Sequence, residues 1–127
     1  MNETRPAIRT YRDLVAWQVG MEAAEMVYRV TGTLPRNEEF GLVSQMRRAA
    51  VSVAANIAEG FGRGHKVEFR RFLEISRGSL FELQTHAELA RRLGWLEGKP
   101  LKELRAVLRR LDALLAGLMA SVRRREA

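Results

Sequence analysis

The sequence predicts an all-α protein, folded as an antiparallel up-down-up-down four-helix bundle in one domain spanning residues 1–127. Its 127 residues, 46% of them hydrophobic, suffice for one sizeable core. Three prolines interrupt a chain that is rich in Ala, Leu, Glu and Arg, which are strong helix formers. Four amphipathic segments joined by short connections bury their apolar sides most simply in this topology.

The first helix is predicted over about residues 11–31. Thr10 and Asp13 have the spacing of a capping box, in which the threonine hydroxyl accepts a hydrogen bond from the backbone near Asp13. Gly32 and Pro35 end the segment. Steps of three and four residues, typical of helices packed at shallow angles, give the apolar seam Leu14, Trp17, Met21, Ala24, Tyr28 and Thr31.

The second helix is predicted over about residues 38–61, with Asn37 as its cap and two glutamates in its first turn. At about 100° per residue, an apolar side and a polar stripe run next to each other along it. Glycines 60, 62 and 64 are expected to end this helix. The apolar side holds Leu42, Met46, Ala49, Val53 and Ile57, and the polar stripe holds Arg48, Ser52, Asn56 and Glu59.

The third and fourth helices are predicted over about residues 66–94 and 100–122. The third ends near Gly94, and Pro100 is tolerated in the first turn of the fourth. The fourth helix has the most regular heptad seam in the chain. This seam consists of Leu101, Leu104, Leu108, Leu111, Leu115, Leu118 and Val122.

Several classes of function are disfavoured by what the sequence lacks. The chain has no cysteine, which excludes disulfides and thiolate chemistry and fits a cytoplasmic protein. No signal-peptide pattern or run of roughly 18 apolar residues is present, so no membrane association is expected. Because the chain also lacks GxSxG, P-loop, Rossmann, HExxH and Glu-x-x-His motifs, we expect no catalytic residues, cofactor or metal.

The polar stripe of the second helix has two interpretations. Serine and asparagine have low helix propensity, and polar groups beside a core need hydrogen-bond partners. The first interpretation is therefore an internal network, in which Arg48 and Glu59 are bridged through Ser52 and Asn56 to the third helix. The second is a subunit contact or a ligand surface. The expected partners on the third helix are Ser79, Glu82 and Thr85.

The net charge of +7 points to an anionic partner, although gene base composition or heat adaptation would explain it equally. Nearby acids such as Glu74 and Glu88 are expected to pair with Arg70, Arg77 and Arg91. Phe61 and Trp95, at helix ends, are the aromatic side chains left for stacking on bases. The basic residues without an obvious acidic partner are Arg47, Arg63, Lys66, Arg71, Arg123, Arg124 and Arg125, and they are the candidate nucleic-acid contacts.

Three segments of the chain together resemble a known family. They are YRDLVAWQ, LPRNEEFGLVSQMRRAAVSVAANIAEGFGR and EFRRFLEISRGSLFELQTHAELARRLGWL. They look like the four-helix-bundle family encoded in intervening sequences of bacterial 23S ribosomal RNA genes. The resemblance implies a homopentameric ring with no established enzymatic activity. That family is also similar to the accessory variability protein of diversity-generating retroelements, a basic pentamer that binds a reverse transcriptase and nucleic acid.

Two hypotheses for function follow. The first is a non-enzymatic, basic, oligomeric bundle that binds structured RNA or DNA, as an accessory to a reverse transcriptase or to RNA processing. The alternative is a structural or protein-interaction module in which the charge is incidental. Oligomerisation is favoured because the first two helices carry apolar residues off their seams, more than a lone bundle needs. These are Val15, Val19, Val27, Val30, Val43 and Val51.

Overall fold

A computed structural model describes residues 7–126 and shows four long helices with no strand in that range. They are α1 (Val15–Thr31), α2 (Ser44–Gly62), α3 (Lys66–Arg92) and α4 (Gly98–Glu126). A 3₁₀ turn (Tyr11–Asp13) precedes α1, and a 3₁₀ turn (Arg36–Glu38) and a π-helical turn (Glu39–Val43) precede α2. The predicted all-α, four-helix fold is confirmed.

Each helix packs against the next one along the chain, and α4 packs back against α1, so α3 lies diagonally across from α1. The core runs between them, with the leucines of α4 from Leu101 to Leu115 almost fully buried. Near its C-terminus the buried seam passes to Met119 rather than the expected Leu118, which is half-buried. A strict seven-residue repeat drifts around a straight helix, and the shift by one residue corrects that drift.

Leu14, Ala24 and Thr31 of the predicted seam are buried, but the buried side of α1 differs from that seam elsewhere. Val19, Ala23 and Val27 are buried, whereas Met21 and Tyr28 are 41% and 49% exposed. The reason is the close approach of α1 to α2. A Cβ built on Gly20 would lie 3.4 Å from the Cβ of Ala54, so the two helices are packed in van der Waals contact at this point.

The connections before α1 and α2 are more irregular than expected. The capping box is confirmed, since the Thr10 hydroxyl accepts from the Arg12 amide and the Asp13 carboxylate accepts from the Thr10 amide at 3.1 Å. Hydrogen bonds from the amides of Arg9 and Thr10 lower the pKa of Asp13. Before α2 the Asn37 cap was wrong, because Glu38 accepts instead from the Leu42 amide at 3.1 Å.

The sequence predicts that the three glycines near the end of α2 all serve to end the helix. In the structure their roles differ. The helix continues through Gly60 to Gly62, and the chain turns at Gly64, where φ is +80°. Gly60 is buried against α3. A Cβ there would lie 2.5 Å from the Cβ of Phe72, so this position requires glycine for packing rather than for the turn.

We predict that Gly60→Ala destabilises the fold. The new methyl group would clash with the Cβ of Phe72, which cannot move unless the backbone moves. Overpacking of this kind costs about 1–3 kcal/mol. The higher helix propensity of alanine offsets about 1 kcal/mol of this cost. Gly117→Ala is the matched control, because nothing lies within 4 Å of that position on α4, and it should raise stability by about 1 kcal/mol. Urea unfolding measures both, and equal stability of the two variants would contradict the packing assignment.

Candidate nucleic-acid interface

The polar stripe of α2 forms a compact hydrogen-bonded junction with α3. The hydroxyls of Ser52 and Ser79 are 2.8 Å apart, and the Asn56 amide donates to both the Ser52 carbonyl and its hydroxyl at 2.9 Å. One turn away, the buried Ser76 hydroxyl donates to the Val53 carbonyl at 2.8 Å. These bonds satisfy polar groups beside the core and fix the register of α2 against α3.

Other members of the expected network point elsewhere. Arg48 is exposed, and Glu59 pairs with Arg63 on its own helix at 2.9 Å. The Thr85 hydroxyl donates to its own helix backbone, and Glu82 lies 4.0 Å from the Nε2 atom of His86. The network is therefore smaller than the sequence suggests. Its outer members lie on the surface of α2 and α3, and three of them, Glu59, Glu82 and Thr85, contact groups on their own helix.

Most of the basic side chains on the flank of α3 are neutralised within the chain. Arg70 pairs with Glu74 at 3.0 Å, as expected, but Arg77 reaches Asp112 on α4 at 2.8 Å rather than Glu74. Glu88 is the centre of a larger cluster. It accepts from Arg91, Arg92 and Arg105 at 2.9–3.0 Å, and the hydrogen bonds from Arg91 and Arg92 lower its pKa to about 2.

Two candidate contacts do have partners, contrary to the sequence expectation. The Nε atom of Arg47 donates to the Thr31 hydroxyl at 2.9 Å, and its guanidinium lies 4.6 Å from the centre of the Tyr28 ring. Arg63 pairs with Glu59 and lies 5.0 Å from the centre of the Phe72 ring. Both cations are held in structural contacts. The partners of Arg47 come from α1, which sequence spacing could not reveal, whereas the spacing of four residues between Glu59 and Arg63 was a signal in the sequence.

The other candidates are exposed and make no ion pair with any residue that the structure describes. They lie at one end of the bundle, where α2 ends, α3 begins and α4 ends. We call this set of residues the basic end; it consists of Lys66, Arg71, Arg123, Arg124 and Arg125. Cations that are grouped at one end of the bundle and make no internal ion pair can each contact a phosphate without first breaking such a pair.

An open cavity of about 650 Å³, which we call the end groove, lies in the basic end. Helix ends line it with apolar side chains, and its charged or titratable lining residues are His65, Lys66 and Arg125. Phe61, which the sequence places at a helix end and leaves available for stacking, lines the groove, but no sequence pattern predicted the groove itself. A concave surface made by three helix ends has no periodic signature in the sequence.

Large apolar side chains are exposed on two separate sides of the bundle. The α1–α2 face consists of Met21, Tyr28, Phe40 and Val51, and the α3 face consists of Ile75, Phe81, Leu89 and Leu93. Phe40 is 91% exposed on the π-helical turn, beside Gly41. The exposure of Phe40 was not predicted from the sequence, although its position outside the apolar seam of α2 indicated a side chain on the surface. Of the valines expected off the seams, Val19, Val27 and Val43 belong to the core, whereas Val15 and Val51 are exposed.

The described part of the chain holds no group of three or more His, Asp or Glu side chains placed to bind a metal ion. Trp95, the other aromatic considered for stacking, is half-buried against the core. Across residues 7–126, none of the helices combines the length and apolar character that crossing a membrane requires.

The chain is similar to a known protein family and to solved structures. The model of the family described as 23S rRNA-intervening sequence protein matches residues 12–117. A crystal structure of a protein of unknown function from the S23 ribosomal protein family of Bacteroides thetaiotaomicron superposes with a TM-score of 0.75 at 20% identity, covering 84% of this chain and 96% of that one. No curated protein is significantly similar in sequence.

We predict that the Glu88 cluster makes stability depend on pH between 4.5 and 2. The folded-state pKa of Glu88 lies below its usual 4.5, so its contribution is present above pH 4.5 and is lost as the pH falls towards 2. Glu88→Gln should therefore flatten the loss of thermal stability across this range. Glu103→Gln, at a solvent-exposed contact 3.9 Å from Lys99, is the control and should leave the profile unchanged. Identical profiles for Glu88→Gln and the unmodified protein would contradict this role.

Proposed function

The chain belongs to the 23S rRNA-intervening sequence protein family, and on that premise we propose that it is a non-enzymatic, oligomeric protein that binds structured RNA or DNA. The observation that carries the proposal is the basic end. There, five exposed cations that make no ion pair with the described residues lie at one end of the bundle, while the arginines on the flank of α3 are paired. Four of the five are arginines, whose planar fork matches the geometry of a phosphate group.

Recognition of this kind reads shape and charge more than base sequence. Arginine and lysine contacts to phosphates position a nucleic acid but carry no sequence information directly. The family resemblance supports a role as an accessory to RNA processing or to a reverse transcriptase, in which the protein holds a structured nucleic acid for another component. A non-enzymatic role of this type requires no convergent set of titratable groups.

We further propose that the protein assembles as a homopentameric ring. The α1–α2 face and the α3 face lie on different sides of the bundle, and both expose large apolar side chains. Contact between two different surfaces of identical chains is heterologous, and it generates a closed ring when the rotation between neighbours allows closure. The five-fold number is what the family resemblance implies. Arg48 and Glu82, which lie outside the internal network, would then be available for contacts between subunits.

A second candidate function is a protein-interaction module without a nucleic-acid role. The apolar groove between α1 and α2, lined by Trp17, Met21, Tyr28 and Val51, favours it. The two candidates differ in their response to salt. Affinity that depends on phosphate contacts falls steeply with added salt, whereas binding through apolar side chains does not.

We predict that charge reversal of Arg123, Arg124 and Arg125 to glutamate weakens binding to structured RNA across all sequences. Each lost phosphate contact should also lower the slope of log affinity against log salt by about 0.9. The matched control reverses Arg36, Lys99 and Lys102, three exposed cations at the opposite end of the bundle. Fluorescence anisotropy over a salt series measures the RNA affinity of both variants. Equal losses of affinity in the two variants would contradict the assignment of the binding site to the basic end.

We predict a particle of about five times the 14.5 kDa chain mass at micromolar concentration. Phe40→Ser should shift this particle towards the monomer, because Phe40 is almost fully exposed within one chain and its removal leaves no cavity. Phe61→Leu, at the basic end, is the control and should leave the mass unchanged. Light scattering coupled to size exclusion measures the mass, and a monomer of the unmodified protein would rule out the ring.

A further inference from the structure

The end groove combines an apolar floor with a cationic rim. Leu14, Phe61, Phe69 and Val122 contribute apolar surface, and Lys66 and Arg125 contribute charge. Its volume of about 650 Å³ lies within the range of roughly 300–1,000 Å³ that is usual for sites of small organic groups. No carboxylate is among the described residues that line the groove, and the two cations make no ion pair with any described residue. The groove therefore favours a ligand with a flat apolar part and a negative charge.

Two aromatic rings give the groove its shape. The Phe61 and Phe69 rings pack edge to face, with centroids 5.8 Å apart and an angle of 83° between their planes. In this arrangement the ring whose edge points at its neighbour keeps both of its faces for other contacts. Both side chains are only partly buried, although they pack against the core. Aromatic rings at the mouth of a cavity are the usual platform on which an unstacked base lies.

Further cations lie outside the groove, at the same end of the bundle. Arg123 and Arg124 precede Arg125 on the last turn of α4, and Arg71 lies slightly more than one turn beyond Lys66 on α3. A free amphiphile, such as a fatty acid, would use only the cations of the rim. A nucleic-acid strand that leaves the groove would meet the additional cations, each able to contact a further phosphate.

The geometry points to the end groove as a site for one unstacked nucleotide of a structured nucleic acid. Its base lies against Phe61, and its phosphate is contacted by Lys66 and Arg125. This inference rests on the proposed nucleic-acid binding and adds a preference for an unpaired base, which phosphate contacts alone do not give. Because stacking tolerates every base, the site selects for an extruded nucleotide rather than for a base identity.

The test compares three RNA hairpins by fluorescence anisotropy at one salt concentration. The first has a single bulged uridine, the second has an abasic bulge at the same position, and the third is fully paired. We expect the bulged hairpin to bind about tenfold more tightly than the other two, as stacking on one aromatic ring commonly provides. Phe61→Leu should abolish this difference and leave binding of the paired hairpin unchanged. Val67→Ala, at an exposed apolar residue of α3 that neither lines the groove nor belongs to the α3 face, should change nothing.

Circular dichroism and thermal melting establish that each variant is folded. Should Phe61→Leu fail to fold, Ser121→Trp fills the groove from α4 without removing a core side chain, and it should abolish the same difference. Equal, salt-dependent binding of all three hairpins by the unmodified protein would overturn the nucleotide site and leave the proposed function intact. An absence of salt-dependent binding to any hairpin would overturn both.

Discussion

The close packing of α2 against its two neighbours is the constraint on which the rest of the structure depends. Small side chains at Ala54 and Gly60 allow α1 and α3 to approach closely, and the Ser52–Ser79 contact fixes the register of α2 against α3. Close approach leaves no room for large side chains between α1 and α2, so Met21 and Tyr28 lie outside. The exposed α1–α2 face is thus a direct consequence of how the core is packed.

The arginines of the bundle fall into two groups, those paired with carboxylates and those without an ion pair. Where α3 and α4 lie side by side, carboxylates such as Glu88 and Asp112 bind the arginines and join the two helices. At the basic end, the arginines in the last turn of α4 make no ion pair with the described residues. Part of the accessible charge therefore lies at the end of the bundle where the end groove opens, and other exposed cations, such as Arg36 and Lys102, lie at the opposite end.

Local sequence patterns predicted the four helices, the leucine seam of α4 and the capping box, since each depends on neighbours within one helix. Features that depend on the distance between helices were harder to predict. The seam of α1 was wrong at Met21 and Tyr28, which are exposed, and Gly60 looked like a helix stop although it packs against Phe72. For the same reason Arg47 looked free, although its partner Thr31 comes from α1. Sequence order alone also placed Lys66 and Arg125 far apart, yet both line one groove.

The most direct test of the central claim, that nucleic acid binds at the basic end, is a map of the residues in contact with RNA. Photochemical cross-linking of the protein to a structured RNA, followed by mass spectrometry of the attached peptides, gives this map. The account predicts cross-links within residues 61–71 and 121–125, which surround the end groove. Cross-links confined to the paired flank of α3 and α4 or to the α1–α2 face, with none at the basic end, would contradict it.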